Sequence, residues 1–235
     1  MTGKVAVITG ASHGIGASLV AGYRGRGWAV AATDHAIKPS EDPEVLTVEG
    51  GIADPATAER ITGAALDRFG RIDTLVNNAG VFIAKPFTDY TAADYASVVE
   101  ATLTGFFWVT QRAIAEMAVR YGGHVVNVTA TLAEVAESGT PAVLAALAKG
   151  GLAAATRSLA IEYAAYGIRV NAVFPGVIQT PAHPPDSYEH LGGRHVPLGP
   201  AGQTSSILDG VLFLESSPYI TGEILHIDGG QTAGH

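Results

Sequence analysis

Short β-branched or apolar runs alternate with longer helix-like windows from one end of the chain to the other, and this alternation limits the fold more than any other feature. The runs are Val5–Ile8, Ala29–Thr33, Val45–Val48, Thr74–Asn77, His124–Val128, Arg169–Val173 and Glu223–Ile227. Such an order predicts an α/β fold, a parallel sheet covered by helices on both faces. Near-continuous apolar runs such as VAVI and HVVNV suit central parallel strands, which are buried on both sides. Between Gly151 and Tyr166, Leu152, Ala155, Leu159 and Tyr163 recur at helical spacing, with Arg157 and Glu162 off the stripe. That stripe is expected to pack on the sheet or on another subunit. One connection breaks the alternation: the stretch from His35 to Glu44 holds Pro39 and Pro43, cannot form a crossover helix, and is predicted to be a loop.

Length allows one large core, so residues 1–235 read as a single domain. The 29 glycines come with 47% hydrophobic and 15% charged residues, which excludes collagen and disorder. There is no cysteine, so neither a disulfide, a thiolate metal site nor a thiol nucleophile is available. A formal charge of −8 with few Lys and Arg argues against a nucleic-acid or anionic-membrane partner and for a small-molecule one. The first residues, MTGKVAVITG, lack an apolar signal core, so a cytoplasmic location is expected. Residues 181–198 contain four prolines and a Gly-Gly pair without periodicity, and read as a lid or substrate loop.

The first run leads into TGASHGIG, which sets Gly10, Gly14 and Gly16 at the turn into a helix. Glycines let backbone amides approach a pyrophosphate, and the helix N-terminus favours the negative charge. Asp34 ends the second run, where a dinucleotide fold presents a carboxylate to the adenosine ribose. An Asp there accepts from a 2′-hydroxyl and repels a 2′-phosphate, which favours NAD over NADP. His13, beside Gly14, is positioned to soften that preference.

With NNAG at Asn77–Gly80, a lysine on the helix after the fifth strand, PGVIQT at Pro175–Thr180 and DGG at Asp228–Gly230, the whole chain resembles the short-chain dehydrogenases/reductases. The resemblance implies a Rossmann-type, doubly wound, three-layer fold and a nicotinamide cofactor. It places Gly10, Ser12, Gly14, Ile15 and Gly16 around the pyrophosphate, and Asn78, Ala79 and Gly80 along the adenosine side. Pro175, Gly176, Ile178 and Thr180 would flank the nicotinamide, and Lys149 would hold its ribose. Gly51 stands where the family commonly has an Asp near the adenine, leaving the backbone of Ile52 to contribute. Homotetramers built on two long helices, roughly Ala92–Arg120 and Ala145–Tyr166, are a further implication.

At the chemistry the chain departs from the family pattern. The family's Tyr lies four residues before its Lys, yet Lys149 is preceded there by Ala145. Its Ser aligns with Ala130, with Thr131 the nearest hydroxyl, and its helix Asn aligns with Thr102. Substitute proton donors would come from loops: Glu134, Glu137 or Ser138 after the fifth strand, His183, Tyr188, His190 or His195 in the 181–198 segment, or His235. The spacing of His183, Asp186, His190 and His195 matches no trusted metal-ligand pattern. Three readings stay open: an NAD(H)-dependent oxidoreductase of small alcohols or carbonyls with altered proton-transfer groups; a catalytically silent NAD(H)-binding sensor or partner protein; and, with no residue pattern in its favour, a non-redox enzyme such as a lyase or isomerase.

Overall fold

The structure, a computed structural model, describes residues 3–137, 139–181, 196–199 and 201–234. Seven strands, β1 (Val5–Thr9), β2 (Ala29–Asp34), β3 (Val45–Glu49), β4 (Thr74–Asn77), β5 (Gly123–Val128), β6 (Ile168–Pro175) and β7 (Ile224–Ile227), form one sheet in the order β3-β2-β1-β4-β5-β6-β7. Every neighbouring pair is parallel. Among the described residues the α-helices are α1 (Gly14–Gly25), α2 (Pro55–Phe69), α3 (Ala92–Val99), α4 (Gly105–Val119), α5 (Val143–Glu162) and α6 (Thr204–Ser216). A π-helical turn, Glu100–Thr104, joins α3 to α4. The fold is thus the single-domain, doubly wound one expected, and the strands fall where the apolar runs predict them. As the two prolines require, no helix forms between β2 and β3.

Side chains that alternate along each strand feed two cores, one per face. Ile8, Val30, Val76, Val126 and Val173 meet Leu19 and Tyr23 of α1 and Ile207, Val211 and Leu214 of α6. Val7, Ala31, Leu75, Val125 and Val170 meet Ile61 and Ala65 of α2, Val109 and Met117 of α4, and Ala160 of α5. On the second face a buried polar line joins the sheet to α4 and α5. Asn77 Nδ2 donates to Thr110 Oγ1 and to Asn127 Oδ1, both at 2.9 Å, and Asn127 Nδ2 donates to Thr156 Oγ1 at 2.8 Å. Leaving one such group unpaired would cost about 1–3 kcal/mol, so the line fixes how α4 and α5 seat on β4 and β5.

The predicted stripe on α5 is corrected by this line. Leu152 is buried, and Leu159 and Tyr163 are partly buried and pack against the core as expected, but the fully inward face is Leu152, Thr156 and Ala160, joined by Ala145, Ala148 and Ala153, with Ala155 beside it. Thr156 reads as polar in sequence and is inside because its hydroxyl donates to the Leu152 carbonyl at 2.8 Å while accepting from Asn127. By length and composition α5 is apolar enough to cross a membrane. In this fold it is the crossover between β5 and β6, with Ala153 packed on Ala172 and Phe174 of β6, which is how a core helix passes that test.

The chain runs outward from β1 to β3, then returns to β4 on the other side of β1. This reversal opens a crevice beyond the carboxyl ends of β1 and β4, the position at which doubly wound sheets receive ligands. The glycine-rich turn after β1 and the NNAG segment after β4 meet there.

Candidate active site

Two adjoining cavities occupy that crevice. The first, about 330 Å³, is lined by Gly10, His13, Gly14, Ile15, Asp34, Ile52 and Ala79, among others. The second, about 290 Å³, is lined by residues including Thr131, Glu137, Ala145, Lys149, Pro175, Gly176 and Ile178. Ile15, Asn78, Gly80, Val81 and Thr180 wall both.

The first cavity has the features of an anion and ribose site. Gly10 (φ 63°) and Gly14 (φ 55°) adopt left-handed conformations that a side chain would strain. The α1 N-terminus that follows has no side-chain cap from His13 and no acidic residue in its first turn, so its amides are left for a ligand. Gly16 does not line either cavity. A Cβ there would fall 1.9 Å from the Gly10 carbonyl oxygen, so its task is close packing of α1 on the turn. Ser12 likewise acts through Asp34: its amide and its hydroxyl donate to Asp34 Oδ2 at 3.0 and 2.6 Å, and the His35 amide donates to Oδ1 at 2.7 Å. Burial pushes this carboxyl up, but the bonds from Ser12 and His35 outweigh it and hold Asp34 below the usual carboxylate range.

Asn78 serves as a brace, its Nδ2 donating to the carbonyls of Thr9 (3.1 Å) and Gly10 (2.9 Å) while its amide and that of Ala79 bond Thr9 Oγ1. At Gly51 a Cβ would lie 2.8 Å from His35 Cε1. The imidazole therefore occupies the space that the family's Asp side chain would enter, a pairing that the sequence reading missed.

In the second cavity Lys149 extends from α5 and donates from Nζ to the Val128 carbonyl at 2.8 Å. Burial alone lowers its pKa to about 8. Gly80 makes room for it, since a Cβ there would lie 2.9 Å from Nζ. Ala145, four residues earlier on the helix, is 4% exposed and forms part of the wall. Thr102 sits in the π turn, its buried hydroxyl without a partner among the described residues. Such turns recur where a helix is adapted to a site. Thr131 is buried in the wall beside Ala130, whereas Thr129 spends its hydroxyl on the Val173 carbonyl at 2.8 Å.

Of the loop candidates, Glu137 reaches the cavity and Glu134 does not; Glu134 pairs with His226 at 2.9 Å on the surface. Ser138, His183, Asp186, Tyr188, His190, His195 and His235, and most of the 181–198 segment, lie outside the described residues. Among the described residues no cluster of three acidic, His or Cys side chains is placed to hold a metal.

A family model described as enoyl-(acyl carrier protein) reductase matches residues 10–232. Cis-4-hydroxycyclohexanecarboxylate dehydrogenase of Sinomonas cyclohexanicum is 35% identical, over 98% of this chain and 97% of that protein. The chain belongs to the short-chain dehydrogenase/reductase family. Among solved structures, ElxO with NADP bound shares the fold at a TM-score of 0.91 and 24% identity, covering 98% of this chain and 99% of that one. A 3-ketoacyl-(acyl-carrier-protein) reductase from Brucella melitensis complexed with NADH gives a TM-score of 0.87 and 26% identity, with 98% of each chain covered. As a short-chain dehydrogenase/reductase, the chain carries the two cavities in the crevice where its fold class places nucleotide and substrate.

Proposed function

We propose that this short-chain dehydrogenase/reductase is an NAD(H)-dependent oxidoreductase that interconverts a small, uncharged secondary alcohol and its ketone, without the family's Tyr and Ser. The observation that carries the reading is the shared wall of the two cavities, which joins a carboxylate-bearing cleft to an apolar chamber, with Lys149 Nζ in the chamber close against Gly80 of that wall. The bound nicotinamide supplies hydride chemistry. The chain's part is to hold it: free α1 amides for the pyrophosphate, Asp34 for a ribose diol, and the Lys149 ammonium for the second ribose.

Asp34 favours NAD because a 2′-phosphate would meet an ionised carboxylate already fixed by Ser12 and His35. The chamber's apolar wall, with Val81, Phe82, Leu132 and Val177, suits a compact hydrocarbon body. Glu137 on the same wall disfavours an anionic substrate. The relative from Sinomonas, named for a cyclic secondary alcohol, supports the alcohol class; its carboxylate is not expected to be tolerated here.

Exposed apolar side chains on α4 and α5, Phe107, Val119, Leu147 and Ile161, support the homotetramer, which light scattering would test.

The decisive test titrates NADH and NADPH by nucleotide fluorescence, then assays a panel of small ketones and secondary alcohols with the wild type and Ala145→Tyr. The expected result is tighter NADH than NADPH binding and turnover by the wild type. Asp34→Ala should erase the preference. Binding without turnover, with activity appearing only in A145Y, would establish the silent-sensor reading instead.

A further inference from the structure

We propose that Glu137 is the group that exchanges a proton with the reacting oxygen in the chamber, and that the buried amide of Gln231 holds its carboxyl in place. The inference rests on the oxidoreductase reading above and names the residue that performs its proton step.

Among the described residues lining the chamber, only Lys149 and Glu137 ionise. Lys149 is engaged by the Val128 carbonyl and lies against Gly80, a residue of the wall shared with the first cavity. Glu137 stands in the loop after β5, half-buried, on the wall that also includes Ala145, Thr131 and Gly176. With a methyl group at Ala145, a phenol's volume is missing from that wall.

Both carboxylate oxygens are engaged from the protein side. Gln231 Nε2 donates to Oε1, and Thr140 Oγ1 donates to Oε2 at 3.5 Å. Each oxygen retains a lone pair for a substrate hydroxyl.

The holder is itself built. Gln231 is 5% exposed, and its Oε1 is buried without a partner among the described residues. Asp228 fixes the turn that delivers it, accepting from the Gly230 amide (2.9 Å), the Thr232 amide (2.9 Å) and the Thr232 hydroxyl (2.6 Å). Gly176 must lack a side chain there, because a Cβ would lie 2.8 Å from both Gln231 Oε1 and Asp228 Cα. A side-chain amide suits a group that changes protonation: it offers a donor to the carboxylate and, turned over, an acceptor to the acid.

In the oxidative direction the alcohol O–H bond breaks and its proton passes to Glu137, while the hydride leaves the carbinol carbon for the oxidised nicotinamide. The products are ketone, reduced nicotinamide and protonated Glu137, which releases its proton to solvent. Reduction runs the same step backwards.

The test compares wild type, Glu137→Gln and Glu137→Asp. The Gln variant is nearly isosteric and keeps a hydrogen bond to Gln231, so NADH affinity within about twofold of wild type reports an intact fold. The expected result for E137Q is a fall in kcat of about 10²–10⁴-fold, the usual cost of removing a positioned acid or base, with partial recovery in E137D. A readout without cofactor uses cyclohexylammonium and cyclohexanol as calorimetric probes of the chamber. The ammonium ion should bind E137Q at least about tenfold more weakly than wild type, with cyclohexanol unchanged. Turnover by E137Q equal to wild type would overturn the inference and leave the oxidoreductase reading standing. A wild type that binds NADH and turns over no member of the panel would overturn both. Loss of turnover with unchanged ammonium binding would overturn the placement of Glu137 on the substrate.

Discussion

Lys149 Nζ donates to the backbone carbonyl of Val128 at 2.8 Å, and among the described residues no carboxylate forms an ion pair with it. An ammonium placed so is held at a cost to the apo protein. With its pKa lowered from 10.5 to about 8, the burdened charged form is present below pH 8, and the cost is relieved as pH rises from about 8 to 10.5, because the unfolded chain binds the proton more tightly. The side chain is partly open to the cavity, so the cost is about 1–2 kcal/mol after allowance for solvent. Lys149→Met is therefore expected to raise the melting temperature at pH 7 by roughly 2–8 °C while weakening NADH binding. Differential scanning fluorimetry from pH 7 to 10.5 checks the sign: the gap between variant and wild type should narrow as pH rises.

The imidazole of His35 lies over Gly51, and this predicts a specific non-additivity. Gly51→Asp alone should displace the ring and weaken NADH binding several-fold, with little change in melting temperature because a surface imidazole can swing aside. His35→Ala combined with Gly51→Asp should recover much of that loss. Dissociation constants for the two single variants and the double variant measure the coupling; simple additivity would refute it.

At the opposite end of the sheet, His124 Nδ1 donates to Glu215 Oε2 at 3.0 Å, while His124 Nε2 accepts from Asn171 Nδ2 at 3.1 Å. Glu215 also accepts from Thr74 at 2.8 Å and Tyr23 at 3.3 Å. Burial drives the His124 pKa down, against the opposing pull of Glu215. Burial raises that of Glu215, but the bonds from His124 and Thr74 prevail and leave it lowered. Both shifts act in one direction. Stability contributed by His124 is lost as pH falls below about 6.5, its unfolded value, and that from Glu215 as pH falls further through its folded pKa. Melting temperature should decline on acidification from pH 6.5, and His124→Gln should flatten the upper part of that decline while lowering stability at pH 7. An unchanged slope in the variant would count against the assignment.

Strands were legible because parallel strands buried on both faces read as unbroken apolar runs, and the β2–β3 loop because two prolines forbid a helix. The meeting of the glycine turn and Asp34 at one cavity was legible because strand, glycine turn and carboxylate come in a fixed order along the chain. Thr156 was absent from the expected stripe for the opposite reason: nothing in a hydropathy pattern shows that a hydroxyl has partners inside. The rest of the site is assembled across distance. His35 and Gly51 meet only because neighbouring strands deliver them to one rim, and Gln231 meets Glu137 from 94 residues away.

That last separation bears on the order in which the molecule becomes competent. The nucleotide cleft is built mainly by β1, β2 and β4 with the turns that follow them, a section complete before α3 begins. The wall that carries Glu137 waits for a turn beyond β7. Contacts so remote in sequence form late, after the intervening strands have docked. The adenosine end of the crevice would therefore take shape from contacts nearer in sequence, whereas the pairing of Glu137 with Gln231 depends on the finished sheet.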